Sequence, residues 1–311
     1  MGGIGIVIVT YNSAGDIGPC LDAALATGAE VVVVDNGSSD ETLSEVRTRR
    51  AAVIANPDNR GFAAAVNQGI RAISAEYVLL LNPDAVVQPG IEALRDACAP
   101  PGAGAAGGKL LDTHHRVQAG FGVRRLPTPL VLALEILLVN RLWPRNPANW
   151  HYRCYDFRYD TAGEVEQPAG ALLMFRRKVW EELGGFDERF YPIWFEDVDF
   201  CKRLRDRGYR VYYEPRAVAV HRGGHSIQKI LLEERQFYWY RSLLKYGFKH
   251  FRTGVSRLLC LAVIVGSCLR MAAGIALQRS LRPVQVFAPV IHLASRYLLF
   301  GPSNKGIPSF S

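Results

Sequence analysis

The stretch "IGIVIVTYNSAGDIGPCLDAALATGAEVVVVDNGSSDE", residues 4–41, holds two uninterrupted Val/Ile-rich runs on either side of a helix-length segment. Strands with one wet face alternate apolar and polar residues. Strands that are apolar throughout are covered on both faces, which is the habit of parallel sheets. Parallel neighbours need a crossover of a dozen residues or more, and the segment between the runs supplies it. The shorter "AAVIANP" and a fourth run, "YVLLLNPDAVV", extend the series, with helical stretches at about 14–26, 39–50 and 61–75. Ser38 and Glu41 have capping-box spacing ahead of the second helix. The expected class is α/β: a Rossmann-like, mostly parallel central sheet flanked by helices, with right-handed crossovers.

In such sheets ligands bind beyond the carboxyl ends of the strands. Here those ends share a polar character: Thr10-Tyr11-Asn12, Asp35-Asn36-Gly37 and Asn82-Pro83-Asp84. "NRGFAAAVNQGI" (59–70) opens a helix at the same edge. Each alone is ordinary turn composition; together they suggest a nucleotide with phosphates. A carboxylate such as Asp35 beside a turn can accept the imide N–H of uracil or thymine, and Tyr11 offers an aromatic face. Gly61 allows close backbone approach, and the following helix supplies N–H donors for phosphate. Neither G-x-x-x-x-G-K nor G-x-G-x-x-G is present, so nothing points to a P-loop NTPase or a dinucleotide enzyme.

The 311 residues suffice for one large α/β domain and an appendage. The net charge of +8 is uneven: no Asp or Glu follows Glu234, whereas eleven Lys or Arg do. A basic tail suits nucleic acid or anionic membrane. The greasy runs "RLLCLAVIVGSCLRMAAGIAL" (257–277) and "VQVFAPVIHLASRYLLF" (284–300) favour the membrane. Arg270 cuts the first run short of the ~20 apolar residues a span needs, and prolines interrupt the second. Interfacial helices on anionic lipid are therefore expected, a helical cap or homo-oligomer interface being the rival reading. Six scattered cysteines without C-x-x-C read as thiols of a reducing compartment, and "MGGIGIVIVTYNS" reads as a strand, not a signal peptide.

In the middle of the chain, "APPGAGAAGG" (99–108) reads as a flexible boundary and 109–165 as an insertion over the sheet edge. "QPAGALLMFRRKVWEELGGFDERF" is a strand and a helix ended by Gly184-Gly185, and "YRVYYEPRAVAVHRGGHS" is strand ending in a His/Gly cluster. The expected domains are residues 1–226, with a first half to about 108 and a second from about 166, and a basic, apolar helical extension over 227–311.

"VIVTYNS", "VVVVDNGSSDET", "NRGFAAAVNQGI", "LLLNPDAVV", "PAGALLMFRR", "GGFDERF" and "WFEDVDFCKRLRDRGY" occur in this order. Over about residues 4–226 the chain resembles an inverting family 2 glycosyltransferase of the GT-A fold, closest to the bacterial rhamnosyltransferase-like branch. The resemblance implies a nucleoside-diphosphate sugar, dTDP- or UDP-linked, lying across the strand ends. It also implies Mg²⁺ or Mn²⁺ on the phosphates. Asp35 would read the pyrimidine, Thr10, Tyr11 and Asn12 would line its pocket beside Asn36, and Asn59, Gly61, Phe62, Asn67 and Asn82 would shape the donor side. Arg60 reads equally as a surface residue or a diphosphate contact. Asp84 takes the position of the metal-binding acid and His221 that of a second ligand, with His225 and Ser226 near the diphosphate. Where many members carry two acids flanking one residue, this chain has Asn82-Pro83-Asp84; one acid plus phosphates and water can suffice for Mg²⁺.

"YPIWFEDVDFCKRLRDRGYRV" (191–211) carries three acids, Glu196, Asp197 and Asp199. With a helix begun by about residue 195, a wheel puts Asp197 inside the apolar arc of Trp194, Val198, Phe200, Cys201 and Leu204. Glu196 and Asp199 fall on its polar flanks. Asp197 is thus expected to be the inward acid, Asp199 to pair with Arg203 at i+4, and Glu196 to orient the acceptor or pair with a basic residue. The resemblance makes Asp197 the base. It also implies a polyprenyl-diphosphate-linked saccharide acceptor at the cytoplasmic face of the membrane, in envelope polysaccharide synthesis. A processive synthase and a non-catalytic nucleotide-sugar-binding scaffold are the alternatives. No Q-x-x-R-W motif supports the first, and the joint presence of Asp84, Asp197 and His221 argues against the second.

Overall fold

The computed structural model describes residues 2–223 and 230–302 and divides into two compact units. The first comprises residues 1–126 and 151–229, the second 127–150 and 230–311.

The first unit is built on a nine-stranded sheet. Its strands are β1 (Ile4–Thr10), β2 (Glu30–Asp35), β3 (Ala52–Ala55), β4 (Tyr77–Leu81), β5 (Ala85–Val87), β6 (Ala103–Leu111), β8 (Gly163–Val165), β10 (Leu172–Arg176) and β11 (Arg210–His221). A two-stranded ribbon pairs β7 (Val123–Arg124) with β9 (Gln167–Pro168). The order across the sheet is β3-β2-β1-β4-β10-β6-β11-β5, with β8 also on β11. The strands β1 to β4, β6 and β11 run one way; β10, β5 and β8 oppose them. Successive side chains of a strand point to opposite faces. Accordingly Ile6 and Ile8 join a core with the helix Ala14–Ala26, while Val7 and Val9 join a second core with the helices Phe62–Ala72 and Glu196–Asp206. The continuous apolar runs are continuous because both faces are used.

Three local expectations change. Residues 99–108 are not a flexible boundary: β6 lies between β10 and β11. Its glycines mark close packing, since a Cβ on Gly104 would sit 2.8 Å from Leu204 and Tyr209, and one on Gly107 would strike Pro168. The capping box also fails. The second helix starts at Thr42, and Ser38 bonds Asp35 instead. Residues 109–165 are no single insertion, because 127–150 belong to the other unit.

In that second unit the helix Pro129–Ile136 packs on Thr253–Gln278, which also packs on Arg282–Phe300; Leu232–His250 completes the group. Among the described residues, Thr253–Gln278 is long and apolar enough to cross a membrane. Arg270 does not cut it short, because its guanidinium donates to the backbone carbonyls of Glu135, Ile136 and Gly266 and lies 6.0 Å from the Tyr240 ring. Its outer face carries exposed Leu258, Leu261, Val265 and Leu269.

Candidate active site

The strand order places β2 and β4 on opposite sides of β1: the connection from β1 runs to β2 on one side, and that from β3 returns past it to β4, which makes the carboxyl end of β1 a switch point of the kind where such sheets bind ligands. Thr10 and Asp35 end β1 and β2 in register. Leu172 enters β10 opposite Leu81, and His221 closes β11 opposite Ala85. The expected site residues Thr10, Asp35, Asn82, Asp84 and His221 therefore share one edge.

On the β1–β2 side, Asp35 is fully buried. Its carboxylate accepts from Thr10 Oγ1 (3.0 Å), Ser38 Oγ (2.5 Å) and Ser38 N–H (3.0 Å). It fixes the turn, beside which lie the exposed Tyr11 and the half-buried Asn12, whose Oδ1 accepts from Ser39 N–H. Asn36 Nδ2 donates to Asn59 Oδ1 (2.9 Å), and Asn36 Oδ1 accepts from Arg60 N–H (3.0 Å). Gly61 has φ +85°, and a Cβ there would meet the Tyr191 ring at 2.8 Å, so close approach and backbone both require glycine. The next N–H, of Phe62, is taken by Pro192 O at 2.7 Å.

Asn67 stands apart from this group. It is 2% exposed, its Oδ1 accepts from Trp180 Nε1 and Phe186 N–H, and its Nδ2 donates to Phe186 O and Glu188. It locks its helix to the Gly184-Gly185 turn and does not line the donor side.

On the β4–β11 side, His221 Nε2 lies 3.4 Å from Asp84 Oδ1, with Asn82 Nδ2 3.5 Å away. His221 Nδ1 is 2.9 Å from Gln118 Oε1, whose amide also donates to His221 O (2.7 Å), and Phe121 stacks on the ring at 5.4 Å. With Nδ1–H donated to Gln118, Nε2 is the nitrogen facing the carboxylate: with a proton it bonds Asp84, and without one it offers a metal its lone pair. Burial tends to raise the Asp84 carboxyl, but His221 and the Gly223 N–H outweigh it and hold it below the usual range. An ionised oxygen and an imidazole nitrogen fit a divalent cation that takes its remaining ligands from phosphate and water. Among the described residues no cluster of three or more His, Cys, Asp or Glu could do so without that help. His225 and Ser226 lie outside the described residues.

The three acids are placed differently from the wheel. Asp199 is fully buried and its Oδ2 takes Arg203 Nε at 2.7 Å, the expected i+4 pair. Glu196 is 5% exposed. Asp197 is the part-exposed one, not the inward one. Its Oδ2 accepts from Gly170 N–H (3.2 Å) and Gln167 Nε2 (3.3 Å), and its Oδ1 from Val198 N–H (2.8 Å). Asn82 N–H donates to Ala171 O, so Asp197 adjoins the same strand-end edge. Ahead of it Trp194 (φ 78°) and Phe195 (φ 70°) both hold left-handed backbone, a strained conformation for bulky residues.

Residues 5–117 match the family described as glycosyl transferase family 2, and 144–301 match glycosyl transferase family group 2. The chain is 30% identical over 284 residues to the N-acetylglucosaminyl-diphospho-decaprenol L-rhamnosyltransferase of Mycobacterium tuberculosis, covering 78% of this chain and 88% of that one. The chain belongs to glycosyltransferase family 2. A low-salt glycan biosynthesis hexosyltransferase of Haloferax volcanii is 28% identical over 207 residues, 65% of this chain and 61% of its own. The mannosyltransferase of Pyrobaculum calidifontis in complex with GDP-Man and Mn²⁺ shares the fold, with TM-score 0.52 and 19% identity over 97% of this chain and 88% of that one. So does GalNAc-T7 with UDP, GalNAc and Mn²⁺, with TM-score 0.54 and 15% identity over 80% of this chain and 50% of that one. The fold is GT-A.

In this glycosyltransferase the acids differ electrostatically as well as in exposure. Burial, followed by the neighbouring Asp197 charge, pushes Glu196 well above the usual carboxyl range. Its Oε2 is buried without a hydrogen-bond partner. Burial also raises Asp197, against the pull of the Val198 and Gly170 N–H groups and of Arg124. Asp197 can thus exchange a proton nearer neutrality than a free carboxyl does. Gln118, Gln167 and Arg124 escaped the sequence reading. Only Gln167, a polar residue opening the apolar run "QPAGALLM", gave a signal that could have been followed.

Proposed function

We propose that the enzyme transfers a deoxyhexose, rhamnose above all, with inversion from a pyrimidine nucleoside-diphosphate donor to a lipid-linked saccharide of the cell envelope. The observation that carries this reading is the likeness to the mycobacterial protein over most of both chains, whose name specifies an L-rhamnosyl group and a diphospho-decaprenol acceptor. Tyr11 and Asn12 line the base and ribose side, and the turn fixed by Asp35 shapes it. Gly61 and Asn82 flank the diphosphate. Asp84 and His221 would hold Mg²⁺ or Mn²⁺, which when bound neutralises charge on the diphosphate and the departing nucleotide. Asp197 takes the proton of the acceptor hydroxyl as that oxygen attacks the anomeric carbon from the face opposite the leaving group. Glu196, whose carboxyl is pushed up by burial and by Asp197, orients the acceptor by hydrogen bonding. The second unit attaches the enzyme to the cytoplasmic face of the membrane through its exposed apolar face, with Lys and Arg on anionic lipid.

The test is transfer from a panel of dTDP- and UDP-sugars to a polyprenyl-diphosphate saccharide, with wild type and Asp197→Asn. The variant should lose roughly 10²- to 10⁴-fold in turnover while binding the donor normally. Normal turnover would remove Asp197 from the role of base.

A further inference from the structure

Gln167 is 3% exposed, at the start of the short ribbon strand β9. Its Nε2 donates to Asp197 Oδ2 (3.3 Å) and to Pro168 O (3.1 Å), while its Oε1 is buried with no hydrogen-bond partner. A buried amide with one end unpaired is a poor choice for stability. Methionine fills nearly the same volume at no such cost. The partner strand β7 places Arg124 opposite Gln167, and Arg124 Nε is held by Gly120 O at 2.9 Å. The ribbon therefore brings a neutral donor and a cation to one side of Asp197, and Gly170 adds a backbone N–H.

We propose that Gln167 is a positioning residue for Asp197: its amide holds the carboxylate in its proton-accepting orientation and in its ionised form. This rests on the reading of Asp197 as the base. The charged and titratable groups around that carboxylate are Arg124 from β7 and Glu196, Asp199 and Cys201 on its own helix. Asp199 is already neutralised by Arg203. Burial pushes the Cys201 thiol far up, so it adds no negative charge near neutral pH, and Glu196 is itself raised by burial and by Asp197. Ionisation of Asp197 thus depends on Arg124, Gly170, Val198 and Gln167. Of the hydrogen bonds among these, Gln167 gives the one that comes from a side chain.

The experiment compares full-length Gln167→Met, Gln167→Glu and Asp197→Asn with wild type, reading kcat/KM against pH, donor binding and Tm. Losing the donor should move the acid limb of Gln167→Met upward by about one pH unit and lower kcat roughly ten- to a hundredfold, with donor binding and Tm kept or Tm raised. Gln167→Glu, which sets a second carboxyl against Asp197, should move the limb at least as far. A Gln167→Met protein whose limb stays in place overturns the proposal, whether Tm falls with kcat or both are unchanged. If Asp197→Asn itself turns over normally, the assignment of the base fails first.

Discussion

Arg203 ties the helix Glu196–Asp206 to the body of the sheet domain, and its removal has a bounded cost. Its Nε reaches Asp199 Oδ2 at 2.7 Å, and its other nitrogens donate to Leu183 O (2.9 Å) and Gly185 O (2.8 Å). Arg203→Ala removes the cation that lies 2.7 Å from a fully buried carboxylate. Breaking a buried pair from one side costs about 3–5 kcal/mol; the Arg203 side chain is 18% exposed, so water reaches the gap and favours the lower end. The cost has a ceiling, because Asp199 can take a proton. From an ordinary carboxyl near 4, that costs about 4 kcal/mol at pH 7. A loss of about 3 kcal/mol should lower Tm by roughly 6–12 °C for a unit of this size. In the variant, Asp199 binds a proton more readily folded than unfolded. The folded state then gains relative to the unfolded one as pH falls, and the deficit against wild type should shrink between pH 7 and pH 5. Thermal melts and urea titrations at both pH values measure this. A Tm within about 2 °C of wild type at pH 7, or a deficit that widens in acid, would refute the clamp.

Two further outcomes follow from the site and the second unit. Asp84→Ala and His221→Ala should each weaken donor binding in the presence of Mg²⁺ or Mn²⁺ by roughly tenfold or more, and should leave metal-free binding little changed, as read by calorimetry with and without chelator. Equal losses in both conditions would remove the pair from metal binding. Membranes carrying the full-length protein should release it to high salt or alkaline carbonate if the unit lies on anionic lipid; release by detergent alone would mean that Thr253–Gln278 crosses the bilayer.

The parallel half of the sheet was legible because hydrophobic period reports burial directly: β1, β2 and β4 are apolar on both faces and covered on both. β6 was not, because glycine signals both flexible turns and close approach, and only the neighbours Leu204, Tyr209 and Pro168 decide which. The site divides in the same way. Strand-end residues are local to their strands and could be listed from sequence. The motif around Asn67 points to the donor side, yet its partners Trp180, Phe186 and Glu188 lie far along the chain and commit it to structure. The Asp84–His221 pair lies far apart along the chain and came through resemblance alone, and Gln118, which orients His221, carried no signal at all.

The acids of "WFEDVDF" show why a wheel misassigns burial. It ranks positions by the hydrophobicity of their neighbours on one helix, whereas a buried charge needs a partner. Asp199 can be the buried acid because Arg203, one turn on, meets it, and that arginine is itself held by the Leu183 and Gly185 carbonyls. With that position neutralised inside, the helix can turn Asp197 toward the strand ends, where Gly170 and Gln167 receive it. A general base has to be reachable by its substrate as well as desolvated. The partly exposed Asp197 meets both requirements; the fully inward acid expected from the wheel would have met only the second.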